Sequence, residues 1–274
     1  MKIKLIYLMS LTAFVSVASC SKSNPPVTPE KPVVTVPVQP PPTTNPPADN
    51  PPPSTAKLLP VKIEAPGQSI LFKYVGETNS LLSVDDGAGK KLTVTYKDNQ
   101  MNGLITHQGN KFFYVDYWRD KQERIYKVDQ CSQTSSEDIH LGYYTIKYND
   151  QQQMTEINYF SPNNKPLHTK TFMYDLPNDR MGSITETNGT ETTKYTFDLQ
   201  NGLFKNVANA QLIAMETGEN FFLSAQHNLL SITSTNPKNN MTCNYEYNAD
   251  AYPTLITWEA LNVKMTFKVS YKTL

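Results

Sequence analysis

Between Cys243 and Trp258 the chain alternates apolar and polar residues in a way that recurs along most of its length. Cys243, Tyr245 and Tyr247 alternate with Asn244, Glu246 and Asn248, the period of two that a strand with one buried and one wet face requires. An Asn-Ala-Asp-Ala turn follows, and Thr254 to Trp258 begins a second strand, so the segment predicts a β-hairpin. Degraded copies precede it. Phe72 and Tyr74 lead to Leu81 and Leu82, Val94 and Tyr96 to Leu104 and Ile105, Val115 and Tyr117 to Ile125, and Ile146 and Tyr148 to Met154 and Ile157. Phe172 and Tyr174 lead to Met181 and Ile184, Tyr195 and Phe197 to Leu203 and Phe204, and Phe267 to Tyr271 forms a last strand.

Most signature positions lie roughly 20–30 residues apart, one hairpin and its return. The gap from Phe197 to Tyr247 is longer; it is expected to hold a strand pair lacking the signature, with a short helix over Val207 to Met215. Asp or Asn directly after the aromatic has a physical cause, because those side chains bond backbone amides two residues on and start turns. The expected fold is all-β, an antiparallel meander of roughly 12–16 strands, curled or barrel-like and water-soluble. The opposite strand faces carry Lys73, Lys147, Glu246 and Lys268, which lipid would penalise, so a membrane-spanning barrel is not expected.

Ahead of this domain, expected over residues 57–274, lie two segments of other character. Lys2 and Lys4 precede an apolar run from Leu5 to Ala18 that is short for a membrane span, which predicts a signal peptide over 1–19. Val17-Ala18-Ser19-Cys20 resembles the lipobox of bacterial lipoproteins, and the resemblance implies lipid attachment at Cys20 and a membrane as partner. Of the chain's 20 prolines, 14 fall between Pro25 and Pro60. Residues 20–56 therefore read as a disordered stalk, since so little apolar surface cannot fold and proline favours an extended helix of about 3.1 Å per residue.

The hairpin unit resembles a relaxed YD-type repeat, Tyr247 to Ile256 most closely. Together with the lipobox and stalk, the chain resembles Bacteroidota lipoproteins with a porin-like C-terminal domain. The resemblance covers roughly residues 70–274 and implies a curled antiparallel sheet, an outer-membrane lipoprotein, and no known activity. The surface-exported lipoproteins of that phylum resemble one another in an acidic cluster after the cysteine, whereas Ser21 to Asn24 stand here; periplasmic face and cell surface both remain open. Ala251 and Gln152 occupy positions where the repeat has glycine, and a different turn geometry is expected there, because a Cβ disfavours positive φ.

Net charge is zero, which offers nucleic acid no electrostatic handle, and no sequence feature marks a protein partner. His107, His140, His168 and His227 are scattered without ligand spacing, no nucleotide-loop or nucleophile-elbow motif is present, and neither a cofactor nor a catalytic group is expected. Asp85 to Gly89 reads as a hairpin turn. Cys131 and Cys243 differ in strand phase, so a disulfide between them is disfavoured although an oxidising compartment would permit one. Five aromatics, Tyr117, Trp118, Tyr143, Tyr144 and Trp258, are candidate ligand contacts, since rings beside Asn and Asp suit sugar stacking. Cross-strand packing of the same rings is the plainer alternative. The expected role is non-catalytic binding of a glycan or other polymer, or an architectural role; the alternatives are a carrier enclosing a lipid-like ligand and, further off, an envelope hydrolase.

Overall fold

The computed structural model describes residues 57–133, 137–175, 182–217 and 223–274. The expected leader, Cys20, the proline-rich stalk and Met181 lie outside the described residues. The strands are β1 (Leu58–Ala65), β2 (Gln68–Tyr74), β3 (Leu81–Asp85), β4 (Lys90–Lys97), β5 (Gln100–Gln108), β6 (Lys111–Arg119), β7 (Ile125–Gln133) and β8 (Asp138–Tyr148). They continue with β9 (Met154–Phe160), β10 (Pro166–Asp175), β11 (Ser183–Asn188), β12 (Glu191–Phe197), β13 (Leu229–Ser234), β14 (Met241–Tyr247), β15 (Pro253–Ala260) and β16 (Val263–Thr273). Each pairs antiparallel with its neighbours in sequence, and β16 returns to β1, closing a barrel of 16 strands. Closure leaves no edge strand to attract another chain.

The long gap after Phe197 holds one ordinary hairpin, β13 and β14. Its excess length is the connection 198–228, which carries the helix α1 (Ala210–Thr217). No additional strand pair lies there among the described residues.

The hairpin period has a structural cause at the rim where β2, β4, β6, β8, β12 and β14 end. Entering that rim, register slips by one residue immediately before Tyr74, Tyr96, Arg119, Tyr148, Phe197 and Tyr247. The extra residue, such as Leu82, Asn102, Tyr126, Thr155, Leu230 or Thr254, is the second or third of the facing strand. Such a bulge leaves the carbonyl before it without a ladder partner. A tyrosine on the following strand supplies one. Tyr96 Oη donates to Leu81 O (2.8 Å), Tyr148 to Ile125 O (2.9 Å) and Tyr174 to Met154 O (2.7 Å). Tyr245 donates to Leu229 O (2.6 Å), Tyr271 to Pro253 O (2.7 Å) and Tyr74 to Pro60 O (2.8 Å), the last at the bulge where β1 meets β16. Burial pushes the Tyr174 hydroxyl up to about 12, so it remains a donor at neutral pH.

Two positions depart from this rule. The equivalent place on β6 belongs to Arg119, not to Tyr117 as the spacing suggested; Arg119 Nη2 donates to Met101 O at 2.8 Å. On β12 Phe197 has no hydroxyl, and its backbone N–H takes Gly182 O at 3.2 Å instead.

The same rim bears three copies of one turn. Asp120, Asn149 and Asn248 each accept two backbone N–H groups through one side-chain oxygen, from residues two and four further on. The fourth residue of each turn, Glu123, Gln152 or Ala251, has φ of 64°, 62° or 61°. The expectation of another geometry at Gln152 and Ala251 is thus corrected. Left-handed backbone costs an ordinary residue about 1–2 kcal/mol, and two side-chain hydrogen bonds of about 1 kcal/mol each offset it. Asp85 and Asp86 form a hairpin turn by the same means, accepting from the N–H groups of Gly87, Ala88 and Lys90.

Inward positions of β1–β5 and β13–β16 are apolar and buried, among them Ile63, Phe72, Leu92, Val94, Leu104, Ile232, Ile256, Phe267 and Val269. The connection 198–228 adds to that core. Phe204 is fully buried and packs edge-on against Phe72 at 5.4 Å, with Leu203 and Ile213 also enclosed. Asn228, itself buried, clasps the two ends: its Nδ2 donates to Asp198 Oδ2 and Asn201 O, while its Oδ1 accepts from Leu203 N. Gly202 permits the crossing, because a Cβ there would sit 2.6 Å from Ala225 O.

From β8 to β12 the inward face turns polar. His168 lies opposite Tyr159, Lys170 lies opposite Ile157, and Lys170 pairs with Glu186 at 2.9 Å. The outer face carries Lys194, Lys268, Asp116 and Asp129 mid-wall and an ion pair, Lys147 to Glu156, of 2.7 Å. The interior is thus apolar on one side and polar on the other, and the outer wall carries charge at mid-height.

Candidate functional site

Strand register assembles a row of outward residues across six strands: Thr95, Gly103, Asp116, Asp129, Tyr143 and Phe160 lie opposite one another from β4 to β9. Beside it runs a second row in which Trp118 faces Lys127 and Lys127 faces Thr145. The two rows make an aromatic and charged shelf on the outer wall.

Trp118 is 51% exposed, and its Nε1–H donates to Asp129 Oδ2 at 2.6 Å. Lys127 Nζ stands 4.7 Å from the Tyr143 ring centre and 5.5 Å from that of Trp118, and it reaches Asp129 at 2.9 Å. Tyr143 and Phe160 stack with centroids 4.8 Å apart and planes 12° apart. His140 Nε2 completes the surround, 3.7 Å from Asp129. Cation and rings attract one another, and the indole hydrogen bond fixes the plane of Trp118.

Asp116 lies directly opposite Asp129, an arrangement that costs a sheet stability because like charges face each other. Partial burial first, and then the charge of Asp129, raises the Asp116 carboxyl above its ordinary range. Asp129 is compensated by Lys127 and Trp118. Asp116 instead opens into a groove of about 340 Å³ lined by Thr95, Ile105, His107, Phe112 and Tyr114. Gly103 shapes that groove, since a Cβ there would stand 2.4 Å from Val115 O and 3.0 Å from Thr95 Oγ1. Flat rings, a carboxylate acceptor and an ammonium donor within one shelf provide stacking and hydrogen bonding for a polyhydroxylated ligand.

No protein-family model and no curated protein matches the chain. Solved structures that are similar to it in fold include two from Bacteroides. One is a porin-like protein from Bacteroides uniformis, 13% identical, with 81% of this chain and 98% of that chain covered and a TM-score of 0.47. The other, a porin-like protein from Bacteroides vulgatus, is also 13% identical, with 79% and 100% covered and a TM-score of 0.47. The assignment of this chain as a closed barrel rests on its own strand register.

Of the five aromatic candidates, the shelf brings together Trp118 and Tyr143. Tyr117 and Tyr144 point inward, 9% and 2% exposed, because each is one residue out of phase with the shelf. Trp258 is buried against Phe267, centroids 5.1 Å apart, on the far side of the interior. None of these three is an exposed platform. Lys127, Asp129 and Phe160 were not anticipated. The spacing of Lys127 and Asp129 puts both on one strand face, but only the pairing of β7 with β6 and β8 shows that this face is the one Trp118 and Tyr143 share.

Cys131 and Cys243 are both free thiols; Cys243 is buried, and that burial pushes it up to about 12. The four histidines stay apart: His107 against Phe112, His140 beside Asp129, His168 stacked on Tyr159, and His227 Nδ1 at 3.0 Å from Gln200 O. Among the described residues no group of three His, Cys, Asp or Glu side chains is placed to hold a metal ion.

Proposed function

We propose that this chain is a lipid-anchored cell-envelope protein whose barrel acts without catalysis, binding a glycan or a chemically similar polymer along its outer wall. The observation that carries this reading is the shelf of Trp118, Tyr143 and Phe160 around Lys127 and Asp129, continuous with the groove at Asp116. An exposed indole held flat by a carboxylate is suited to stacking on a sugar face, and the outward row from Thr95 to Phe160 beside it runs across six strands, long enough for more than one residue of a polymer. The lipobox resemblance at Cys20 and the stalk over 20–56 support a tether that presents the barrel away from a bilayer. A carrier role has less in its favour, since Leu203, Phe204 and Ile213 already occupy the apolar part of the interior.

Two experiments test the two halves. Labelling with radiolabelled palmitate tests the anchor: incorporation that disappears in Cys20→Ala is expected, and incorporation that persists there would sink it. Glycan-array screening tests the wall, with signal expected to fall at least about tenfold on Trp118→Ala, the worth of a lost aromatic stack.

A further inference from the structure

We propose that the barrel interior between β6 and β9 is a binding site for a small organic ammonium ion, held by Glu216 with Tyr117 and Tyr144. The site lies behind the outer shelf and does not depend on it.

Glu216 sits in the last turn of α1, where the connection reaches into the barrel. Tyr144 Oη donates to its carboxylate. The residue is half-buried, and burial pushes its carboxyl up to about 7 against the hydrogen bonds from Tyr144 and Gln130. Register sets Tyr117, Val128, Tyr144 and Tyr159 in one inward row, and the charge of Glu216 raises all three tyrosine hydroxyls. Tyr117 supplies the second observation. Its hydroxyl is buried and makes no hydrogen bond to the protein, and a polar group enclosed in that way destabilises the fold until a ligand or solvent group meets it.

The charged groups nearby are already engaged. Lys170 is paired with Glu186 at 2.9 Å, and Arg119 donates to Met101 O and Glu123 O. His168 stacks on Tyr159, and burial followed by the charge of Lys170 disfavours its cationic form. Among the described residues no cationic side chain pairs with Glu216. A primary ammonium group brings three N–H donors and one positive charge. Those donors match the Glu216 carboxylate and the idle Tyr117 oxygen, and the ring faces of Tyr117, Tyr144 and Tyr159 suit a cation. An anion would be repelled by Glu216, and a neutral alcohol would leave its charge uncompensated.

The test is thermal unfolding and calorimetric titration of the full chain with n-propylammonium chloride, against sodium chloride and 1-propanol at matched concentration. The expected result is a saturable rise in unfolding midpoint with the amine alone, and affinity about tenfold weaker near pH 6 than near pH 8, as Glu216 becomes protonated. Glu216→Gln should abolish the rise. Tyr117→Phe should weaken binding about tenfold without lowering the midpoint of the free protein. An amine that raises the midpoint no more than the two controls, or as much in Glu216→Gln as in the parent, would overturn the proposal. So would a Tyr117→Phe protein that binds unchanged, which would assign the idle hydroxyl to a water molecule; that variant decides the matter if Glu216→Gln does not fold.

Discussion

Tyr148 gives the reason for the repeat in one side chain: it ends β8, reaches back over β7, and caps the carbonyl that the bulge at Tyr126 leaves unpaired. A phenylalanine would pack as well but leave Ile125 O buried and unsatisfied. Tyr148→Phe is therefore expected to lower unfolding free energy by about 1–2 kcal/mol in urea titration, with the slope unchanged. Tyr117→Phe should do the reverse and raise the midpoint slightly, since its oxygen has no bond to lose. Two tyrosines that look alike in the sequence thus have opposite expected effects. The sequence shows where the tyrosines are and not what their hydroxyls meet, because the acceptor lies on another strand 14 to 23 residues away.

Strands and turns were legible at the scale of elements, for a physical reason: alternation reports the two faces, and the Asp or Asn after the aromatic reports the turn. The backbone sign at Gln152 and Ala251 was not, because propensity counts the Cβ and omits the two hydrogen bonds that each Asn oxygen accepts. Ala251→Gly removes the remaining strain and is expected to stabilise by up to about 1 kcal/mol, less what the freer unfolded chain takes back; an Ala251→Gly protein that unfolds earlier in urea would contradict this account of the turn. Helix α1 carries a pH dependence of its own. Burial raises Glu216 from 4.5 to about 7, so the folded state holds that proton more tightly than the unfolded state does. Its contribution is fully favourable below about 4.5, declines as pH rises to about 7, and is flat beyond. The decline is on the order of 2 kcal/mol for a group that keeps some exposure. Glu216→Gln should remove that slope from a plot of unfolding free energy against pH. The position of α1 near 207–215 was visible in the composition, while its insertion into the barrel was not, since Phe204 meets Phe72 only after closure.

For the molecule as a whole, closure converts a sequence of hairpins into an inside and an outside. The inside is apolar where the connection 198–228 fills it and polar between β8 and β12; the outside carries Lys194, Lys268, Asp116 and Asp129 mid-wall, where burial in lipid would cost roughly 2–4 kcal/mol for each lysine. Alternation alone predicts a curled sheet and does not decide whether β16 meets β1, because that pairing joins residues at opposite ends of the domain. The outer shelf was half legible for the same reason: Trp118 and Tyr143 stand out as residues, but their meeting over Lys127 is a product of register. The most direct test of the wall as a binding surface is affinity electrophoresis of residues 57–274 through gels containing each of a series of neutral and charged polysaccharides, comparing the parent with Trp118→Ala and with Tyr126→Ala as an exposed aromatic outside the shelf. Retardation of the parent and of Tyr126→Ala by at least one polymer, lost in Trp118→Ala, is the predicted result. Free migration of the parent in every gel, or retardation that Trp118→Ala retains in full, would contradict it.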